Sequence, residues 1–198
     1  MYTKLILIRH GETTWNRRRR YCGFADIALN ANGKQQVQKL GSRLHKEKIH
    51  KIYSSDRKRA IQTARIIFKD SEIEHLPELQ EIHFGCFEGL THAQILKKHP
   101  KLYKKWLKDP YNTEVPYGEK LVDFRKRITR IFKKITLLNK NKTTAVFCHG
   151  GTISIFITSI LKTRNFWKYI PGSASMTVVE YQSGLPVITV LNDTKHLS

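Results

Sequence analysis

The chain is poor in cysteine, in long apolar runs and in acidic residues, and each shortage excludes something. Cys22, Cys86 and Cys148 are its only cysteines. They are odd in number and far apart, with no Cys-x-x-Cys or Cys/His spacing. That argues against a disulfide framework and against a zinc site, and fits reduced thiols in a cytosolic protein. The longest apolar run near the N-terminus is Leu5 to Ile8, too short for a signal peptide or a membrane span. A cytoplasmic protein without a membrane partner is the expectation. Internal repeats, low-complexity tracts and linker-like stretches are missing too.

Acidic residues number 16 against 36 Lys+Arg, a formal charge of +20 with pI near 10.0. Such a field attracts phosphate esters, nucleic acid and acidic membrane surfaces without choosing among them. The basic residues are spread along the chain, and the one dense run is Arg17-Arg18-Arg19-Arg20. That distribution fits a generally basic surface better than a dedicated nucleic-acid arm. With 198 residues, 40% of them hydrophobic, a single domain with a substantial core is the simplest organisation.

Strand-like and helix-like patterns alternate. Leu5 to Ile8 reads as a strand buried on both faces. Asn30-Ala31-Asn32-Gly33 is a helix start, followed by Val37, Leu40 and Leu44 at helical spacing. Lys51 to Ser54 reads as a short strand, and Ser55-Asp56 as the cap of the next helix, with Ala60, Ala64 and Ile67 on one face. Residues 72–76 suggest another short strand. A helical hairpin over Ala93 to Leu107 breaks at Pro100. Leu121, Phe124, Ile128, Ile131, Phe132 and Ile135 mark the strongest amphipathic helix. Thr143 to Cys148 is a second central strand, with a helix over Ile153 to Leu161. Met176 to Tyr181 and Val187 to Leu191 form a hairpin at the sheet edge. The fold class is α/β: one domain, a three-layer sandwich with a mostly parallel sheet between helices.

Two of these strands end in chemistry. One delivers Arg9-His10-Gly11-Glu12 and the other Cys148-His149-Gly150-Gly151, at the edge where open α/β sheets hold their ligands. Two imidazoles beside a helix N-terminus make an anion site. Arg57, at a third strand-to-helix boundary, offers a planar fork for phosphate oxygens. Glu81 precedes an aromatic and glycine-rich loop, a setting that can desolvate a carboxyl and keep it protonated. Each of these residues alone also has a plain reading, as a solvated strand end, a helix-start arginine or an ordinary loop acid.

Together they resemble the histidine phosphatase superfamily, which includes the cofactor-dependent phosphoglycerate mutases. The resemblance is carried by Arg9-His10-Gly11-Glu12-Thr13, by Arg57 in a Ser-x-x-x-Arg-Ala-x-Gln-Thr-Ala form, by Glu81 ahead of Phe84-Gly85-x-Phe87-Glu88-Gly89, and by His149-Gly150-Gly151. It extends to the C-terminal Asn192-Asp193-Thr194-x-His196-Leu197. The resemblance implies a phosphoglycerate mutase-like fold in which residues 77–120 form a cap-like insertion over the site. It implies that His10 is a nucleophile that becomes phosphohistidine. Arg9, Arg57 and His149 would bind the phosphoryl oxygens, with Asn16 and amides near Gly150 assisting, and Glu81 would protonate the leaving oxygen and then activate water. Arg20, Cys22 and Gly23 would border the substrate. No metal or cofactor is required.

The chain lacks the extra sequence that mutases carry between the Glu-containing loop and the His-Gly-Gly strand, which favours hydrolysis over phosphoryl shuttling. Cys22, where mutases usually have Gln, and Val115-Pro116-Tyr117-Gly118-Glu119 look more like alpha-ribazole phosphatases of cobalamin biosynthesis. The expectation is a metal-independent phosphomonoesterase acting on a small-molecule phosphate ester, with alpha-ribazole 5′-phosphate as the specific guess and a homodimer as a possible assembly. Alternatives are a broad-specificity small-metabolite phosphatase, a phosphoglycerate mutase, and a non-catalytic polyanion-binding protein. Tyr103, Trp106 and Trp167 read as packing residues.

Overall fold

The structure is a computed structural model that describes residues 2–198. The elements run β1 (Tyr2–Arg9), α1 (Thr14–Arg17), α2 (Ala31–Leu44), β2 (Lys51–Ser54), α3 (Lys58–Ile67), β3 (Glu74–His75), α4 (His92–Lys98), α5 (Pro100–Lys108), α6 (Leu121–Leu138), β4 (Thr143–Cys148), α7 (Gly150–Ile160), β5 (Met176–Gln182) and β6 (Leu185–Asp193). The six strands form one sheet in the order β3-β2-β4-β1-β5-β6. β1, β2, β3 and β4 pair in parallel, and the β5–β6 hairpin adds antiparallel to β1.

Alternation along the strands distributes the core. Leu5, Leu7, Val146 and Cys148 face α6 and α7, while Ile6, Ile8, Ala145 and Phe147 face α2 and α3. A strand covered on both faces needs apolar residues at every position, which is why β1 and β4 read as unbroken runs. α7 is buried from Gly150 to Thr158, so it is apolar on all sides where α6 shows a stripe. Phe132 of α6 stacks on Phe156 of α7 with centroids 4.0 Å apart. Beside this sandwich, Phe87, Ile95, Tyr103, Trp106 and Val115 form a separate aromatic cluster within residues 77–120. No helix among the described residues is long and apolar enough to cross a membrane.

Local structure departs from the sequence pattern at three places. The strand expected over residues 72–76 is only Glu74–His75, because it has a single neighbour at the sheet edge. Ser55-Asp56 does not cap α3. Arg57 occupies the cap position without a side-chain bond, and the Lys58 amide donates instead to Asp26 Oδ1 at 2.7 Å. The helix expected from Ile153 begins at Gly150, directly after the strand, which places its N-terminus at the sheet edge.

Phe132 is fully buried. Phe132→Ala should lower unfolding stability by about 3–5 kcal/mol, read as a reduced urea midpoint with an unchanged slope.

Candidate active site

The register of β1 against β4 builds the site. Arg9 lies opposite Cys148, and the His10 amide donates to the Cys148 carbonyl at 3.1 Å. The residues that follow, His10 and His149, therefore emerge side by side at the carboxyl ends of two adjacent strands. Their rings meet edge-on with centroids 5.3 Å apart. β2 ends beside them at Ser54, and Glu81 arrives from the segment before the aromatic cluster.

His10 is buried and pairs its Nδ1 with the Gly11 carbonyl at 2.8 Å. A carbonyl only accepts, so Nδ1 is the protonated nitrogen and Nε2 keeps its lone pair. Burial, then the charges of Arg59 and Arg9, hold the ring well below the ordinary imidazole range, despite the Gly11 bond that works the other way. A neutral, oriented imidazole is a nucleophile without a separate base. The turn after His10 is tight because Gly11 and Gly33 touch backbone to backbone. A Cβ on Gly33 would lie 2.1 Å from the Glu12 carbonyl oxygen, so no other residue fits there.

Glu81 is buried, and desolvation raises its carboxyl above the ordinary range. The Gly151 and Ile82 amides and the Arg59 and Arg9 charges oppose that rise. Its Oε2 accepts from the Gly151 amide at 2.7 Å and its Oε1 from the Ile82 amide at 3.0 Å. The first turn of α7 thus fixes the acid in place, and only glycine permits it. A Cβ on Gly151 would sit 2.3 Å from Oε1.

Arg9, His10, Asn16, Arg20, Cys22, Glu81 and Gly150 line a cavity of about 140 Å³ together with Tyr21, Phe84, Phe166, Trp167 and Ile170. That is the volume of roughly five waters, enough for a phosphoryl group. Arg9 donates through Nη1 to the Pro171 carbonyl, while its Nε is buried without a partner. A phosphoryl oxygen satisfies such a donor, and the N-terminus of α7 adds its positive end. Arg20 is tied through Nη1 to the Gly89 carbonyl. The Asn16 side chain caps α1 by bonding Thr13 while its residue borders the cavity. A groove of about 860 Å³ at the opposite end of the strands holds no imidazole, thiol or carboxylate.

Three expected contributions are placed differently. Arg57 does not line the cavity; its guanidinium lies over the Phe24 ring, 4.7 Å from the centroid. Arg59 is the arginine fully buried behind the histidines. Its Nε donates to His149 Nδ1 at 3.2 Å, and its other nitrogens donate to the carbonyls of Ala25 and Gly23 at 2.7 Å each. The sequence did carry this signal. Counted from Ser55, the arginine of the Ser-x-x-x-Arg-Ala pattern, directly before Ala60, is Arg59. His149 uses its second nitrogen on Ser55 Oγ at 2.9 Å, so both nitrogens are engaged within the protein and the ring anchors Arg59. Gly23 is clamped between Arg59 and Glu88 Oε1, which accepts its amide at 2.8 Å, and does not face the cavity. Trp167 forms part of the cavity wall, whereas Trp106 and Tyr103 belong to the buried aromatic cluster.

Comparison with known proteins agrees with this assembly. Residues 5–194 match the histidine phosphatase superfamily (branch 1). Phosphoserine phosphatase 1 of Hydrogenobacter thermophilus is 31% identical, over 98% of this chain and 94% of that protein. The adenosylcobalamin/alpha-ribazole phosphatase of Escherichia coli is 27% identical, over 96% and 95%. The Bacillus stearothermophilus protein YhfR superposes with a TM-score of 0.92 at 29% identity, covering 99% of this chain and all of that one. The chain belongs to the histidine phosphatase superfamily, as a phosphoric monoester hydrolase.

The two arginines should separate on substitution. Arg59→Ala leaves two carbonyls and His149 unpaired in a dry interior and should cost about 2 kcal/mol or more, with loss of turnover. Arg57 is half-buried and loses only its contact with the Phe24 ring, its Nε having no partner, so Arg57→Ala should cost about 1 kcal/mol, less than Arg59→Ala. Thermal melts and phosphate release on the two variants check this.

Proposed function

We propose that the chain hydrolyses phosphomonoesters without a metal through a phosphohistidine at His10. The observation that carries this reading is the free Nε2 of a buried neutral His10 in one cavity with the buried Glu81. Nε2 forms a bond to phosphorus as the P–O bond to the leaving group breaks, and the Glu81 proton moves to the departing oxygen. An alkoxide is a poor leaving group, so this proton matters. Water then gives a proton to the Glu81 carboxylate as its oxygen attacks phosphorus. The N–P bond breaks, releasing phosphate and restoring neutral His10. Arg9, the α7 N-terminus and the field of Arg59 stabilise the phosphoryl charge, the main requirement of phosphoryl transfer. His149 and Ser55 position Arg59.

The finer substrate reading is alpha-ribazole 5′-phosphate. The cavity accepts the phosphoryl group, and the organic part lies along Tyr21, Phe84, Phe166 and Trp167, rings on which a benzimidazole can stack. Residues 77–120, which supply Glu81 and Phe84, then act as a cap. Phosphoserine is the second reading, favoured by Arg20 in the cavity wall, a partner for a substrate carboxylate. The Hydrogenobacter relative carries that substrate in its name. Phosphate release with EDTA present, from alpha-ribazole 5′-phosphate, phosphoserine, 3-phosphoglycerate and an aryl phosphate, separates these. The wild type should favour the ribazole ester, and His10→Ala should release nothing. Preference for phosphoserine overturns the finer reading, and no release from any ester overturns the hydrolase.

The pH profile follows from two opposed shifts. Attack needs neutral His10, whose ring sheds its proton below the ordinary imidazole range. Leaving-group protonation needs protonated Glu81, which persists above the ordinary carboxyl range. The profile of kcat/KM should be a bell whose acid limb reports His10 and whose alkaline limb reports Glu81. Glu81→Gln should lower it by about 10²–10⁴-fold and remove the alkaline limb.

A further inference from the structure

The C-terminal Asn192-Asp193-Thr194-x-His196 motif takes no part in the reaction described above, yet its bonds lead directly to the catalytic strand. Between β5 and β6 the pairing passes from Met176 opposite Asp193 to Val178 opposite Val190. Leu191 and Asn192 therefore share the place opposite Thr177, one residue more than the ladder needs. Such a bulge re-aims a side chain. Asn192 adopts φ 50°, a left-handed conformation that asparagine tolerates better than most residues. Its amide then bonds Thr177 Oγ1 at 3.0 Å, and its Oδ1 accepts from the Gly172 amide at 2.8 Å. Four residues on, His196 Nε2 donates to the Ala174 carbonyl at 2.9 Å. The segment is moored to α2 by the Arg43–Asp193 ion pair at 2.6 Å.

The loop they grip, Pro171 to Ser175, is what holds Arg9 and His10 on the β5 side. The Pro171 carbonyl receives the Arg9 guanidinium. The Ser175 carbonyl receives the Arg9 amide at 3.2 Å, and the Ala174 amide donates to the His10 carbonyl at 3.0 Å. Ala174 sits at φ 53°, a disfavoured conformation that persists only when its surroundings hold it. Its amide is held by His10 and its carbonyl by His196. We propose that Asn192 and His196 are positioning residues of this phosphatase, bracing the Pro171–Ser175 loop so that Arg9 and His10 keep their productive orientation.

This inference rests on the phosphohistidine reading, and its test separates the two. His196→Phe keeps the ring volume and loses the donor, while His196→Gln restores an N–H at the same reach. Single-turnover phosphoryl transfer to His10, scored per folded molecule beside the melting temperature, should fall by up to about a hundredfold in His196→Phe and Asn192→Ala. The fall should appear in kcat more than in KM and be recovered in His196→Gln. Variants that lose melting temperature but keep the rate refute the brace. If the wild type itself forms no phosphoenzyme, the catalytic reading fails, and amide hydrogen exchange decides the brace. Faster exchange at Ala174 and Arg9 in His196→Phe supports it, and unchanged exchange overturns it.

Discussion

Two imidazoles and two guanidiniums lie together at the carboxyl ends of β1 and β4, and burial with the guanidinium charges holds both rings neutral. Arg59 is buried and Arg9 half-buried, neither with a carboxylate ion pair among the described residues, and their charge is met by backbone carbonyls and by the more distant Glu81. That concentration of positive charge lowers the affinity of His10 and His149 for protons, in the same direction as burial. The same desolvation acts oppositely on Glu81. One environment therefore yields a nucleophile free of its proton and an acid that keeps its own, and each shift depends on the exclusion of water. The sheet supplies this arrangement through the β1–β4 register, and the glycines at 33 and 151 allow the backbones to close on it.

Much of this was legible in the chain. β2 and β4 match the expected ranges, and α2 starts at its expected asparagine cap, because apolar run length and cap chemistry are local properties. His10 and Glu81, the proposed nucleophile and acid, line one cavity. What escaped the sequence depended on tertiary partners. Arg57 and Arg59 both stand at α3's start, and local polarity does not say which one goes inside; only the Ser-x-x-x-Arg-Ala spacing singles out Arg59. Burial of Arg59 follows from the carbonyls of 23 and 25, which are brought there by Glu88 from another segment. His149 looked like a phosphate ligand because its alternative partners, Ser55 and Arg59, lie about 90 residues away. The wall formed by Phe166, Trp167 and Ile170 carries no local signal at all.

The charge of +20 remains a property of the surface more than of the site. The cavity's own cations are Arg9 and Arg20, with Arg59 behind, while the lysines are spread over the exterior. Such a field raises the encounter rate with any anionic ester and falls with salt. It sets no preference among esters.

The central claim is that the phosphoryl group passes through His10. Rapid acid-free quenching of the enzyme during turnover, followed by mass spectrometry of the peptides, tests it most directly. The account predicts one acid-labile phosphoryl group, on His10 and never on His149, lost at the rate of turnover. Turnover that continues with no phosphoryl group on His10 at any quench time would contradict it.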